Sequence, residues 1–398
     1  MNKEIEALLS AEEWRQNATI QMIASENFAS EDVMALSGSV LTNKYAEGYP
    51  GKRYYNGCDV YDKLETKAIE LACRLFGSNY ANVQPHSGAN ANLAVMHALL
   101  QPGDTILSMD LKSGGHLSHG SPVNISGDLY NIVHYGVDES GWLNYEEIDM
   151  IAQDCKPRMI IAGGSAYPRE IDWNMFAEIA DRVCASNYYE DCFLLADMSH
   201  YAGLVAAGTF LNPVDWADVV TSTTHKTLRG PRGGMILWND PDLAYVLNKA
   251  VFPGTQGGPM MNQIAAKAQC FDEALQPEFQ KYAYAVKLNA WVMADYFKEY
   301  GYKMVSGGTH THMIVLDLSD KPYTGREAAN KLEENGIVVN KNSIPDDKRS
   351  PYETSGIRLG TAAETTRRGN DSVGWFVALA ERISAILDDL EHEKGNMA

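Results

Sequence analysis

A chain of 398 residues, 45% of them hydrophobic and 21% charged, carries enough apolar material for a large core, and its length predicts two domains. Fifty-two acidic against 33 basic residues give a net charge of −19, which argues against nucleic acid and anionic membrane as partners but not against a small anion held locally. The six cysteines (Cys58, Cys73, Cys155, Cys184, Cys192, Cys270) lack metal spacing and read as free thiols in a reducing compartment. Residues 1–18 have no apolar centre and no run reaches membrane-spanning length, so neither signal peptide nor membrane span is expected, and the expected location is the cytoplasm.

Residues 1 to about 23 read as a polar helical arm with Ile5, Leu8, Leu9 and Trp14 on one side. From about Tyr61 helices alternate with short apolar strands. Helical periodicity covers Tyr61–Phe76 and Ala89–Leu100. Strands are predicted at Thr105–Met109, Tyr130–His134, Met159–Ala162, Phe193–Ala196, Val219–Thr221 and Met235–Trp238. Near-continuous apolar strands between helices imply a mostly parallel sheet covered on both faces. A long helical stretch runs from Pro259 to about Tyr300. Strands at Met313–Leu318, Ile337–Asn340 and Ile357–Gly360 follow, with helices from about Gly325 and Ser372, as in a smaller α+β domain. The expected division is an arm over 1–25, a large domain over 26–275 and a small domain over 276–398.

The most chemically pointed segment is Thr223–Gly234. There Lys226 lies beside His225, among hydroxyl residues, ahead of a glycine-rich turn. A lysine so crowded is suited to a Schiff base with an aldehyde cofactor, and the glycines let backbone approach a phosphate. Phe193–Ala196 leads into Asp197, a carboxylate placed to keep a pyridine nitrogen protonated. The pair points to pyridoxal 5'-phosphate (PLP).

Other segments are weaker alone. Ser87 and Gly88 precede a helix and suit an anion, or a plain N-cap. His116, in a glycine-rich loop, suits stacking on an aromatic cofactor, or a structural histidine. Arg358 lies in an apolar strand and needs an anion, either a substrate carboxylate or an internal salt bridge. Lys44–Tyr55 crowds tyrosines, cations and Glu47 together as an interface loop would. Phe252–Pro259 is a glycine turn entering a helix.

Together these blocks resemble the serine hydroxymethyltransferase family of fold-type I PLP enzymes, whose α/β architecture is that of aspartate aminotransferase. The likeness runs from about residue 20 to about 369. It rests on ASENF (24–28), LTNKYAEGYPGKRYY (41–55), QPHSGANAN (84–92), GGHLSHGSPVN (114–124) and GGSAYPREIDW (163–173). It continues through ADMSHYAGLVAAG (196–208), the lysine segment, FPGTQGGPMMNQIAAKA (252–268) and VNKNSIP (339–345). The resemblance implies reversible conversion of serine and tetrahydrofolate to glycine and 5,10-methylenetetrahydrofolate.

By that resemblance Lys226 holds PLP, Asp197 meets its ring nitrogen, His116 stacks on the ring, and Ser165 and His200 lie near its phenolic oxygen. Ser87, Gly88 and His225 hold the phosphate, which Tyr45, Gly257 and Gly258 reach from a second subunit. Arg358, Ser25 and Tyr55 bind the amino acid. Glu47 is the acid/base group toward folate, and Leu111, Leu117, Phe252 and Asn342 line the folate pocket. The implied catalytic set is Lys226, Glu47, Asp197 and His116, with no metal. The implied assembly is a homodimer with shared sites, or a tetramer.

Four positions depart from the family pattern: Ser113 and Asn262 replace histidines, Ala362 replaces a proline, and Tyr201 is bulkier than the usual residue near the ring. The alternative reading is a folate-independent aldolase, or a hydroxymethyltransferase acting on another β-hydroxy or α-methyl amino acid. Retained Glu47, Leu111, Leu117 and Asn342 favour the folate reaction. A catalytically silent relative is the third reading, against which intact Lys226, Asp197, Arg358 and His116 argue.

Overall fold

The computed structural model describes residues 1–186 and 191–395. Its centre is a seven-stranded sheet: β1 (Tyr80–Asn82), β2 (Thr105–Met109), β3 (Asn131–Tyr135), β4 (Met159–Ala162), β5 (Phe193–Asp197), β6 (Val219–Thr223) and β7 (Gly234–Trp238). The spatial order is β1-β7-β6-β5-β4-β2-β3. Only β7 runs against its neighbours, pairing antiparallel with both β1 and β6. Strands β4 and β7 are buried along their whole length, which is why their sequences show no polar alternation. Every strand predicted for this sheet is present within a residue or two. The short strand β1 escaped the apolar-run criterion, since it reads only Tyr-Ala-Asn.

A second, four-stranded sheet contains β8 (Lys303–Met304), β9 (Met313–Asp317), β10 (Asn340–Asn342) and β11 (Gly356–Gly360) in the order β8-β9-β11-β10, wholly antiparallel. The single strand expected over Ile337–Asn340 is a correction. Ile337–Val338 instead pairs in parallel with Ile20–Gln21 at the end of the arm, and β10 begins at Asn340. Val339 is the switch between the two sheets.

The expected long helix after Pro259 is two, α1 (Met261–Ala274) and α2 (Pro277–Glu299). Pro277 opens α2, where a missing N–H is harmless, and ends the continuity of the pair. Helix α2 serves both halves of the molecule. Phe279, Tyr282 and Val286 enter the core beside the large sheet, while Met293 and Phe297 enter the core beside the small one. The N-terminal helix, Lys3–Ala18, buries no residue, and Ile5, Leu8, Leu9 and Trp14 are all exposed.

Candidate active site

Strands β4, β5 and β6 end side by side, so the loops that follow them converge at one edge of the sheet, where an open parallel sheet offers a crevice. Asp197 is the last residue of β5. Burial pushes its carboxyl up, yet the hydrogen bond and charge of His119, the charge of Lys226 and the amide of Asn92 hold it well below the usual carboxylate range. Oδ2 accepts from Asn92 Nδ2 at 2.8 Å and His119 Nε2 at 2.9 Å, and Oδ1 accepts from the Ser199 N–H at 3.0 Å. Asp197 is therefore an ionised, oriented carboxylate. The close fit extends to backbone: at Gly163, with φ 134°, a Cβ would stand 2.3 Å from Asp197 O.

Lys226 follows β6 in a turn pinned on all sides. Gly230 N–H donates to Thr224 O at 2.7 Å, Thr227 Oγ1 to His200 O at 2.8 Å, and Asn27 Nδ2 to Lys226 O at 2.9 Å. Lys226 is only 8% exposed, and its ammonium forms no hydrogen bond among the described residues. Burial, with Arg358 and Arg232, outweighs the attraction of Asp197 and lowers its pKa to about 8. An amine that loses its proton this readily is a nucleophile near neutrality.

Arg358, on β11, enters from the small sheet. Nη1 donates to Ser165 O, and Nε to Asn340 Oδ1 at 3.1 Å. No carboxylate approaches it among the described residues, and burial lowers its pKa to about 10. Among the described residues the internal salt bridge is therefore absent, and Arg358, 8% exposed, keeps Nη2 without a hydrogen-bond partner and open to an anion.

Ser165 Oγ lies 3.2 Å from His200 Nε2, and His200 Nδ1 lies 3.3 Å from His312 Nε2, with the two imidazoles stacked at 5.4 Å. His116 Nδ1 contacts Ser118 Oγ at 2.8 Å; burial and His119 lower its pKa to about 4, so the ring is neutral at neutral pH. Asn92 Nδ2 also reaches Ser118 Oγ, at 3.0 Å, which links His116 to Asp197 through one amide.

The loop Pro85–Gly88 forms the wall beside β6 and β7. Ser87 does cap the helix Gly88–Leu99, its Oγ accepting from Asn90 N–H at 3.1 Å. Gly88 and Gly234 are needed for packing, since a Cβ on either would approach Thr223 Cγ2 at 2.6 Å or Ser87 O at 2.3 Å. His225 Nδ1 is buried with no partner among the described residues, and burial, then Arg232 and Lys226, push its pKa down to about 3. Ser25 and His225 line one cavity of about 720 Å³ with Asn27 and Arg232.

A second cluster borders the Pro85–Gly88 wall, to which Gln256 ties it by donating to Gln84 O at 2.8 Å and accepting from His86 N–H at 3.2 Å. Tyr45 packs edge-on to Tyr55 at 5.3 Å, Tyr54 to Phe252 at 5.8 Å, and a Cβ on Gly258 would stand 3.2 Å from the Tyr45 ring. Gly257 faces Glu47 Oε1. Arg53 holds this loop together, bridging Asp62 at 2.8 Å and Glu65 at 2.5 Å while donating to Ala46 O and Gly48 O. Among the described residues no hydrogen bond, ion pair or ring contact joins Tyr45, Glu47, Tyr55, Phe252, Gly257 or Gly258 to Lys226, Asp197 or Arg358. Leu111 and Leu117 are about half exposed (46% and 45%), and Asn342 sits on β10. Lys112 Nζ ties Leu111's loop to the chain beyond Asn342 by donating to Asp347 O at 3.0 Å.

A lysine, an ionised aspartate and an unpaired arginine thus face one another beneath a glycine-lined loop. A family model described as serine hydroxymethyltransferase matches residues 1–374. The chain belongs to the serine hydroxymethyltransferase family. It is therefore a fold-type I PLP-dependent enzyme of serine/glycine hydroxymethyl transfer, with tetrahydrofolate as co-substrate. The residues present fit PLP: an orphaned His225 nitrogen and the Ser87–Gly88 backbone suit its phosphate, Asp197 its ring nitrogen and Lys226 its aldehyde.

Several residues that support this candidate site were missed in the sequence. Asn92, His119 and His312 support Asp197 and His200. Lys267, 2% exposed, donates to Val83 O, Pro85 O and Gly234 O at 2.7, 3.0 and 2.8 Å and so locks the Pro85–Gly88 loop. Burial lowers its pKa to about 7. Its signal was a lone lysine between Ala266 and Ala268, with Ile264 and Phe271 on the same face of the helix. Tyr201, the bulky departure from the family pattern, stacks on Phe210 at 4.6 Å inside the core and donates to Tyr167 O at 2.9 Å.

Proposed function

We propose that this chain interconverts serine and tetrahydrofolate with glycine and 5,10-methylenetetrahydrofolate. The observation that carries this reading is Arg358, a buried guanidinium without a carboxylate of its own, beside Lys226 and Asp197. It binds the amino acid carboxylate, with Ser25 in support, and orients the Cα bonds toward the cofactor face. PLP, once bound, supplies the electron sink for the negative charge that develops at Cα.

Lys226 would hold PLP through the cofactor's aldehyde, and its lowered pKa leaves the amine neutral and nucleophilic near neutrality for that role. Asp197 keeps a proton on the ring nitrogen, because a carboxylate fixed by three donors stays ionised when a cation is placed against it. His116, neutral, stacks without adding charge. Ser165 and His200 lie near the phenolic oxygen, and Ser87, Gly88 and His225 receive the phosphate. Glu47 moves the proton at the hydroxymethyl oxygen and faces folate, whose pocket is lined by Leu111, Leu117, Phe252 and Asn342.

The second cluster supports a homodimer in which Tyr45, Glu47, Tyr55, Gly257 and Gly258 of one copy complete the Lys226 site of the other. The exposed apolar side of the N-terminal helix is available to that copy. The chain divides into an arm over 1–25, a large domain over 26–275 and a small domain over 276–398. Six free cysteines suit a reducing compartment, the cytoplasm; no helix among the described residues is long and apolar enough to cross a membrane.

The direct test is formation of methylenetetrahydrofolate from serine by the purified protein. Asp197→Ala should reduce it at least about a hundredfold. Near-normal turnover in that variant would remove Asp197 from the assignment.

A further inference from the structure

Away from Lys226 the molecule buries a second arginine without a carboxylate. Arg169 lies four residues after Ser165, on the loop that follows β4, and is 8% exposed. Nε donates to Ser306 Oγ at 2.9 Å and Nη2 to Ser306 O. Its guanidinium lies 4.6 Å from the centroid of the Trp142 ring. Among the described residues it has no salt bridge, and Nη1 has no hydrogen-bond partner. A buried cation left with an unpaired donor is stabilised by any anion that can reach it.

The space for one is there. A cavity of about 150 Å³ lies between Arg169 and helix α2, lined also by Asp295, Lys298, His310 and the turn Gly307–Thr309. That is room for a small ion and too little for a nucleotide or a folate. Gly308 has φ 151°, and a Cβ there would stand 3.2 Å from Arg169 Nη2, so glycine keeps the guanidinium uncovered. Arg169 and Lys298 oppose the single charge of Asp295, and Lys298 is without an ion-pair partner among the described residues.

We propose that this cavity binds a small oxyanion, phosphate or carboxylate in type, between Arg169 Nη1 and Lys298 Nζ. The site lies at the junction of the two sheets. His310 N–H donates to Pro168 O at 2.9 Å and Thr309 Oγ1 to the same oxygen at 3.2 Å, so the loop bearing Ser165 is already tied to the turn before β9. A bound oxyanion adds a further tie between them. This site is distinct from the amino acid carboxylate site at Arg358 and does not depend on the assignment of the reaction.

Calorimetric titration of the cofactor-loaded enzyme with inorganic phosphate, and separately with malonate, tests the proposal. Cofactor loading keeps the catalytic phosphate cradle filled, and saturating glycine throughout the titration keeps the Arg358 carboxylate site filled. Lys298→Glu and Asp295→Asn alter exposed side chains, so their fold is retained. The proposal predicts one ion per chain, bound about tenfold more weakly by Lys298→Glu and more tightly by Asp295→Asn. Preference for phosphate or for malonate identifies the ligand class, and either supports the site. Equal uptake by all three proteins would show an adventitious ion only, and no binding of either anion would equally overturn the proposal.

Discussion

At Asp197 three donors converge on a carboxylate that burial alone would protonate. Of these, His119 is the one whose loss leaves the residue in place but underpaired. His119→Asn should lower kcat while leaving the serine KM little changed, because it acts on the cofactor side of the site. An unchanged kcat would reduce His119 to a packing residue. Lys226 gives a pH prediction. Its amine is protonated below about 8 and neutral above, so cofactor capture by the apoenzyme should accelerate as pH rises through about 8 and then level. An acceleration that continued toward the ordinary lysine range would show that the burial of Lys226 does not depress its pKa. These pairings were only partly legible in the sequence. Lys226, Asp197 and Arg358 announced themselves because each was a charged residue in an apolar or glycine-rich setting. Asn92, His119 and His312 looked ordinary, since each finds its partner across 105, 78 and 112 residues respectively.

Among the elements, the Pro85–Gly88 loop depends on Lys267, which reaches it from helix α1. Its ammonium serves three carbonyls that belong to β7 and the chain after β1. Lys267→Met leaves those acceptors buried and unpaired, at a cost of about 3 kcal/mol or more, and should loosen cofactor retention by tenfold or more. Equilibrium dialysis of PLP and thermal unfolding read the two effects; full retention of cofactor would place the clamp elsewhere. Strand positions were largely readable, because a buried parallel strand is a short apolar run with no alternation. Boundaries set by pairing rather than by composition were not. Val338 and Asn340 look continuous in sequence, yet they pair with different partners, Gln21 and Arg358.

For the whole molecule, the proposed sharing of the site between two copies has a consequence for assembly. In a shared-site dimer, Lys226→Ala and Glu47→Gln damage opposite contributions to the same site. Each variant alone should be inactive, and mixing after dissociation should restore about a quarter of wild-type activity, since half the dimers are mixed and each has one intact site. No recovery from verified mixed dimers would place Glu47 and Lys226 in the same copy's site. The sequence indicated this arrangement only through family likeness, because periodicity and composition carry no information about which copy supplies a loop.

The central claim is that the Lys226–Asp197–Arg358 site handles an amino acid in concert with folate. The measurement that tests it most directly is the visible spectrum of the cofactor-loaded enzyme with glycine, before and after tetrahydrofolate is added. The account predicts a long-wavelength band that rises strongly only when folate is present. A glycine response that is indifferent to folate would contradict it.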